Sequence, residues 1–337
     1  MVPPADPFVL DPRSVARLAA ARREHLVDVR QPLVLIAQPN RSGGTLLSQL
    51  LDGHPELHVH PGELQIGVGW PIVDLSRPRK EIFRALRERH VSRCFWDGYS
   101  KDKPARKLGL DEQLEVFPFL LPPELHRWLF VELLAERPID GQRDVLNAYF
   151  AALFNAWLDN QNLYPGAKRW VVAFGDMRQP DSLARFFADY PDGRHITCVR
   201  EPKARTASKL VFSGERDGVA AYAERWRQHT ETQLETKARY GDRVFLLTYE
   251  RLVTHTESTM RSLAAWLGIS YSPSLTEPTF NRFPINANSS FRVERHGVLP
   301  DRVDQWQTVL TDEQARKVDE VAGDLYERVL ALDQGAL

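Results

Sequence analysis

The hydrophobic positions of this chain fall into short unbroken runs, each followed by a turn and then by apolar residues at helical spacing. "PLVLIA", residues 32 to 37, is a continuous apolar run with the length of a strand buried on both faces of a parallel sheet. After a glycine-containing turn, Leu46, Leu47, Leu50 and Leu51 recur at helical spacing, and Gly53 ends the segment. The same order returns three times. "RWVVAF", 169 to 174, precedes a helical stretch around Leu183, Phe186 and Phe187. "RHITCV", 194 to 199, precedes "PKARTASKLVF", 202 to 212, with proline at the first helical position. "RVFLLTY", 243 to 249, precedes a stripe of Met260, Leu263, Ala264 and Leu267 that stops at Gly268. Strands alternating with helices predict an α/β fold built on one parallel sheet covered on both faces.

Two regions lie outside that alternation. Residues 13 to 29 read as a helix carrying Val15, Leu18 and Ala19. Between 64 and 165 the pattern turns to helices and proline-rich turns, as in "KEIFRALRERHV", "FPFLLPPELHRWLF" and "VLNAYFAALFNAWL". The expectation is one domain spanning 1–337, with 64–165 as a large helical insertion between the first and second core strands. The insertion either adds core and surface or shapes an acceptor pocket or lid. Its aromatics, among them Trp70, Phe95, Tyr99, Trp128, Tyr149 and Trp157, are expected mainly in core positions, because aromatics at helical spacing pack inward.

Composition narrows the function classes. A hydrophobic share of 43% with 26% charged residues describes a soluble globular protein. Forty-four basic side chains against 45 acidic ones give a net charge of -1, so there is no general pull toward nucleic acid or an anionic membrane, and anion affinity must come from local sites. Two distant cysteines, Cys94 and Cys198, indicate neither a disulfide framework nor a zinc site. The opening segment has prolines and acids where a secretory leader would be basic and then apolar, and no run reaches the roughly 18 apolar residues of a membrane span. A cytoplasmic location is expected.

The chemistry concentrates in "QPNRSGGTLL", 38 to 47. With a helix starting at its end, the amides of Ser42, Gly43, Gly44 and Thr45 converge at a helix N-terminus, which favours an anion. Glycines at 43 and 44 let the anion approach the backbone, while Arg41 adds charge and Ser42 and Thr45 add hydroxyls. The triphosphatase pattern is absent, since no lysine follows Gly44, and no acidic strand end stands ready for magnesium. An ordinary serine-capped turn is the plainer alternative.

"NRSGGTLLSQLLDGHPEL" resembles the P-R-S-G-T-T-L-L…L-L-x-x-H-P segment of sulfotransferases that use 3′-phosphoadenosine 5′-phosphosulfate, in which this loop holds the 5′-phosphosulfate. Two positions depart from it: Asn40 replaces proline, and Gly44 replaces a hydroxyl residue, which removes one side-chain donor. "CVREPKARTASKLVF" resembles the family's 3′-phosphate motif, with Arg200 at a strand end and Ser208 eight positions later on the next helix. The alternatives here are a surface ion pair of Arg200 with Glu201 or Asp176, and a solvated Ser208. "LLTYERLV" resembles the family's Y-E-x-L strand end and implies Tyr249 near the adenine, though Tyr249 also suits core packing. "ERHGVLPDRVDQWQTVLT" resembles, more loosely, the R-x-G segment that closes over the nucleotide, and implies Arg295 and Gly297 near the 3′-phosphate. The polar loop 286 to 291 precedes it.

The resemblance implies a P-loop-like three-layer α/β fold, a central parallel sheet flanked by helices with a large helical insertion. It also implies transfer of a sulfuryl group to a hydroxyl of a small molecule, lipid or glycan. The implied donor site comprises Arg41, Ser42, Gly43, Gly44, Thr45, Leu46, Arg200, Ser208, Tyr249, Arg295 and Gly297, with the donor as co-substrate, its bisphosphate as product and no metal. Arg41 stands where charge builds on the bridging oxygen. For the base, "HPELHVHPGELQI" offers His58, His60 and Glu63. The Gly62-Glu63 step resembles the family's glutamate after the H-P pair, making Glu63 the first choice. His60 is second by its intrinsic pKa, and a helix-capping role for Glu63 stays open. Other readings are a kinase with a degenerate phosphate loop and a nucleotide-binding protein without catalysis. An acceptor is the expected partner, without nucleic-acid polymer or membrane span; homo-oligomerisation is left open.

Overall fold

The computed structural model describes residues 11–66, 69–99, 116–136, 138–175, 181–213, 218–287 and 295–336. Asp176 and positions 288 to 291 of the polar loop therefore lie outside the described residues. The chain divides into two compact units, residues 32–64 with 166–337, and residues 1–31 with 65–165.

The first unit holds a five-stranded sheet of β1 (Leu33–Ile36), β2 (Leu57–Leu64), β3 (Trp170–Gly175), β4 (Arg194–Val199) and β5 (Val244–Thr248), in the order β2-β3-β1-β4-β5. All four pairings are parallel. Alternate side chains face opposite sides, as strand geometry requires. Ile196, Cys198, Phe245 and Leu247 pack with Leu47, Leu50 and Leu51 of the helix Gly44–Leu51 and with Met260, Leu263 and Leu267 of the helix Thr256–Leu267. On the other side Val199 and Leu246 pack with Trp226 and Leu234 of the helix Gly218–Tyr240 and with Leu325 and Val329 of the helix Asp312–Leu332. The result is the expected three-layer α/β fold with a central parallel sheet flanked by helices. Each fully buried leucine in these layers contributes about 1.5–3 kcal/mol.

β2 corrects the reading of the sequence, which places no strand there. "LHVHPGEL" lacks an apolar run, and Pro61 removes a ladder donor, which confines such a segment to a sheet edge. β2 is an edge strand, and its register against β3 shifts between Val59 and Glu63, absorbing Pro61 and Gly62. The helical region therefore follows the second sheet strand rather than the first.

The second unit is helical, with Pro12–Arg23, Arg79–Leu86, Arg89–Asp97, Pro123–Ala135 and Gln142–Ala156. Trp70, Tyr99, Tyr149 and Trp157 are buried, whereas Phe95 and Trp128 are partly exposed. The buried Glu88 accepts from the Tyr149 hydroxyl at 2.8 Å and from the Gln65 amide at 2.8 Å. The first helix stops at Arg23 instead of running to 29. The buried Asn155 takes both the N–H and the C=O of Val27, at 2.9 Å each, and so holds that segment extended. Among the described residues no helix is long and apolar enough to cross a membrane.

Candidate active site

β1 delivers the chain to the C-terminal edge of the sheet between β3 and β4, at the switch point where ligands of open α/β sheets bind. The turn there is shaped by two residues in the left-handed region, Arg41 (φ 72°) and Gly43 (φ 97°). Gly43 caps the helix Gly44–Leu51, whose first amides lack intrahelical partners and point into the turn. A Cβ on Gly43 would stand 2.7 Å from the Tyr249 ring, so only glycine fits. Ser42 is buried, while Thr45 and Leu46 are partly exposed.

Two arginines hold the turn from β4 and its following helix. Arg200 Nη1 donates to the Arg41 carbonyl at 3.3 Å, and Arg205 Nε donates to the Asn40 carbonyl at 3.3 Å. The helix is Pro202–Ser213, with proline opening it as expected. Ser208 on that helix is buried, and its Oγ accepts from Arg41 Nε at 3.1 Å. The structure thus brings Arg41, Arg200 and Ser208 together. The Arg200 guanidinium lies 4.5 Å from the centroid of Tyr249, and the Arg200 carbonyl accepts from Trp226 Nε1 at 2.8 Å. Tyr249 opens the helix Tyr249–Thr254 instead of ending the strand, so it sits beside Gly43 and Arg200.

The cluster is strongly positive. Burial and the neighbouring Arg200 charge pull the Arg41 pKa down, and burial together with Arg225 and Arg200 pushes Arg205 down to about 10. Arg205 is buried, and its other contact is Nη2 to His229 Nδ1 at 3.2 Å. Arg200 Nε is buried with no hydrogen-bond partner among the described residues. Behind it, burial raises the Glu250 carboxyl to about 7 despite the opposing Arg200 charge; both Glu250 oxygens accept the Glu201 amide at 3.1 Å.

Sequence reasoning did not select Arg205, although it lies three positions before Ser208 on one helical face, a spacing that brings side chains together. Gln38, the first polar residue after β1, was also passed over; it is 9% exposed.

Glu63 is partly exposed and pairs in register with Phe174 of β3, the residue whose ring would stand 2.4 Å from a Cβ on Gly44. Glu63 lies within a strand, so it caps no helix. His60 is buried, and its Nδ1–H donates to the Gly62 carbonyl at 3.2 Å. His54 is occupied structurally, with Nε2–H donating to Ser270 O at 2.9 Å and Nδ1 accepting from Glu56 N. Burial and the Lys168 charge lower His58 to about 3, so it is neutral at physiological pH. The guanidinium of Arg295 is exposed and donates to Asp301 at 2.7 and 3.2 Å. Gly297 adopts φ 88° with open space where a side chain would stand. Among the described residues no group of His, Cys, Asp and Glu is arranged to hold a metal ion.

The switch point of this parallel α/β sheet carries a glycine turn and, beside it, a cluster of three arginines. The chain belongs to the sulfotransferase family, whose model matches residues 32–273, and it is a sulfotransferase. It is similar to the sulfotransferase domain from the curacin biosynthetic pathway, at 17% identity over 88% of this chain and 98% of that one, with a TM-score of 0.49. It is also similar to sulfotransferase STF9 from Mycobacterium avium (16% identity, 93% and 82% covered, TM-score 0.41). Mouse sulfotransferase SULT7A1, solved in complex with PAP, is a third (14% identity, 94% and 93% covered, TM-score 0.42). No curated protein sequence matches significantly.

Proposed function

We propose that this sulfotransferase takes its sulfuryl group from 3′-phosphoadenosine 5′-phosphosulfate and passes it to a hydroxyl of a small molecule, lipid or glycan. The observation that carries the reading is the buried, unpartnered Nε of Arg200 in a cluster of three guanidiniums. A buried donor of this kind is costly unless an anion meets it. The glycine turn supports a second anion next to it, because the first amides of the helix Gly44–Leu51 have no intrahelical partners and Gly43 and Gly44 add no side chains of their own in front of them.

When bound, the donor supplies a sulfuryl group on a phosphate leaving group. Arg200 and Ser208 hold the 3′-phosphate, and Tyr249 borders the adenine. Arg41 and the amides of Ser42, Gly43, Gly44 and Thr45 stabilise the charge that develops on the bridging oxygen as the sulfur–oxygen bond to the leaving group breaks. Glu63 accepts the proton of the attacking hydroxyl while the new oxygen–sulfur bond forms. His60 is the second candidate, and its contact to Gly62 O turns one ring nitrogen back onto its own strand. Arg295 and Gly297 belong to the segment that approaches the 3′-phosphate on closure, for which Arg295 exchanges Asp301 for phosphate.

The test is a transfer assay with the phosphosulfate donor and a panel of phenols, alcohols, lipids and short glycans, in the presence of a divalent-metal chelator. Bisphosphate release that depends on an acceptor supports the reading. Transfer from ATP that requires magnesium would replace it with a kinase.

A further inference from the structure

Position 44 is where this chain departs from the family pattern by losing a hydroxyl side chain. In the structure that space is filled. A Cβ on Gly44 would stand 1.7 Å from Gln38 Nε2, 2.9 Å from Gln38 Cδ and 2.4 Å from Phe174 Cε2. The carboxamide of Gln38, rising from the strand end before the turn, lies in the volume that a residue-44 side chain would claim. Gln38 is only 9% exposed, and its Oε1 is buried without a hydrogen-bond partner among the described residues. That oxygen is an acceptor, so it is completed only by a donor such as an incoming hydroxyl, whereas Nε2, which stands in the position-44 volume, is the group able to donate to an anion.

We infer that Gln38 is a donor-binding residue whose carboxamide replaces the missing hydroxyl at position 44 and hydrogen-bonds the 5′-phosphosulfate end of the nucleotide. Gly44 and Gln38 form one unit: the glycine is small because the glutamine reaches across it. A carboxamide brings an N–H donor to the anion's oxygens and has an oxygen able to accept from an incoming hydroxyl, whereas a threonine offers one rotating group. The same volume is bounded by Phe174, the register partner of Glu63 across β3 and β2.

The inference rests on the reading of residues 38 to 45 as the 5′ end of the donor site, so its test separates the two. Purified wild type, Q38A and the near-isosteric Q38E are titrated with 3′-phosphoadenosine 5′-phosphate and with adenosine 3′-monophosphate, which lacks the 5′ group. Q38A weakens the bisphosphate about tenfold, as loss of one hydrogen bond to a charged group does. Q38E weakens it further by like charge, and neither variant changes affinity for the monophosphate. The double variant Q38A/G44S regains most of the affinity, because the serine hydroxyl enters the vacated volume, whereas G44S alone loses it by collision. Wild-type affinity in both Q38A and Q38E overturns the role of Gln38 while leaving the donor reading standing. Equal loss for both ligands makes Gln38 a merely structural residue and also overturns it. Failure of wild type to bind the bisphosphate overturns the donor reading itself.

Discussion

Arg41 and Ser208, 167 positions apart in the chain, meet at 3.1 Å through Nε and Oγ. One stands within the glycine turn after the first strand and the other lies about two helical turns into the helix after the fourth, so this contact joins the two motifs. Its backbone counterpart is Arg200 on the Arg41 carbonyl. A ligand with charges at both ends would engage residues already held together.

Removing the second half of this arrangement should weaken the bisphosphate. Arg200→Ala is expected to cost roughly ten- to a hundredfold in affinity, and Ser208→Ala roughly three- to tenfold, from the worth of charge-assisted hydrogen bonds. Calorimetric titration measures both. Unchanged affinity in the two variants would remove the 3′-phosphate assignment.

Gly43→Ala tests the turn itself. Its φ of 97° and the Tyr249 ring 2.7 Å from the added Cβ make the substitution strained by about 1–3 kcal/mol. In a chain of this size the melting temperature falls by about 1–4 °C. Bisphosphate affinity falls with it, because the ring that borders Arg200 is displaced. An alanine variant with native melting and binding would mean that the turn differs from the geometry described.

Glu63→Gln separates chemistry from binding. Transfer should fall by about 10²–10⁴-fold, the usual worth of a general base, while nucleotide affinity stays within about twofold. A fully active variant moves the base to His60 or elsewhere.

Glu250 predicts a pH dependence of stability. Burial raises its folded-state pKa to about 7, against an ordinary 4.5, so the folded protein retains a proton that the unfolded chain releases. Its contribution is complete below about 4.5, is lost as pH rises through 7, and levels off above that. The loss is on the order of 3 kcal/mol. Denaturant midpoints at pH 5 and pH 8 show the slope, and Glu250→Gln flattens it. A slope that survives in the glutamine variant would belong to another group.

The parts of the fold legible in the sequence are those where one periodicity dominates. β1, β3, β4 and β5 are apolar because both faces are covered, and Pro202, Gly53 and Gly268 mark helix boundaries through fixed or left-handed φ. β2 escaped because an edge strand with a bulge tolerates proline, glycine and histidines, and so carries no pattern. The first helix stops at Arg23, and Val27 beyond it is held by Asn155, more than a hundred positions away, which no local signal announces. In the site, the glycine turn and Arg200 with Ser208 were readable because spacing fixes them at strand-to-helix junctions. Arg205 and Gln38 were not, since their importance comes from burial against the turn, Arg205 on the Asn40 carbonyl and Gln38 beside Gly44, and burial of one polar side chain is a tertiary fact.

The account turns on which nucleotide the glycine turn serves. Titration of the purified protein with 3′-phosphoadenosine 5′-phosphate in metal-free buffer, beside ATP with magnesium, measures that directly. The account predicts micromolar binding of the bisphosphate without metal and weak or absent binding of ATP. Clear ATP binding with silence toward the bisphosphate would contradict it.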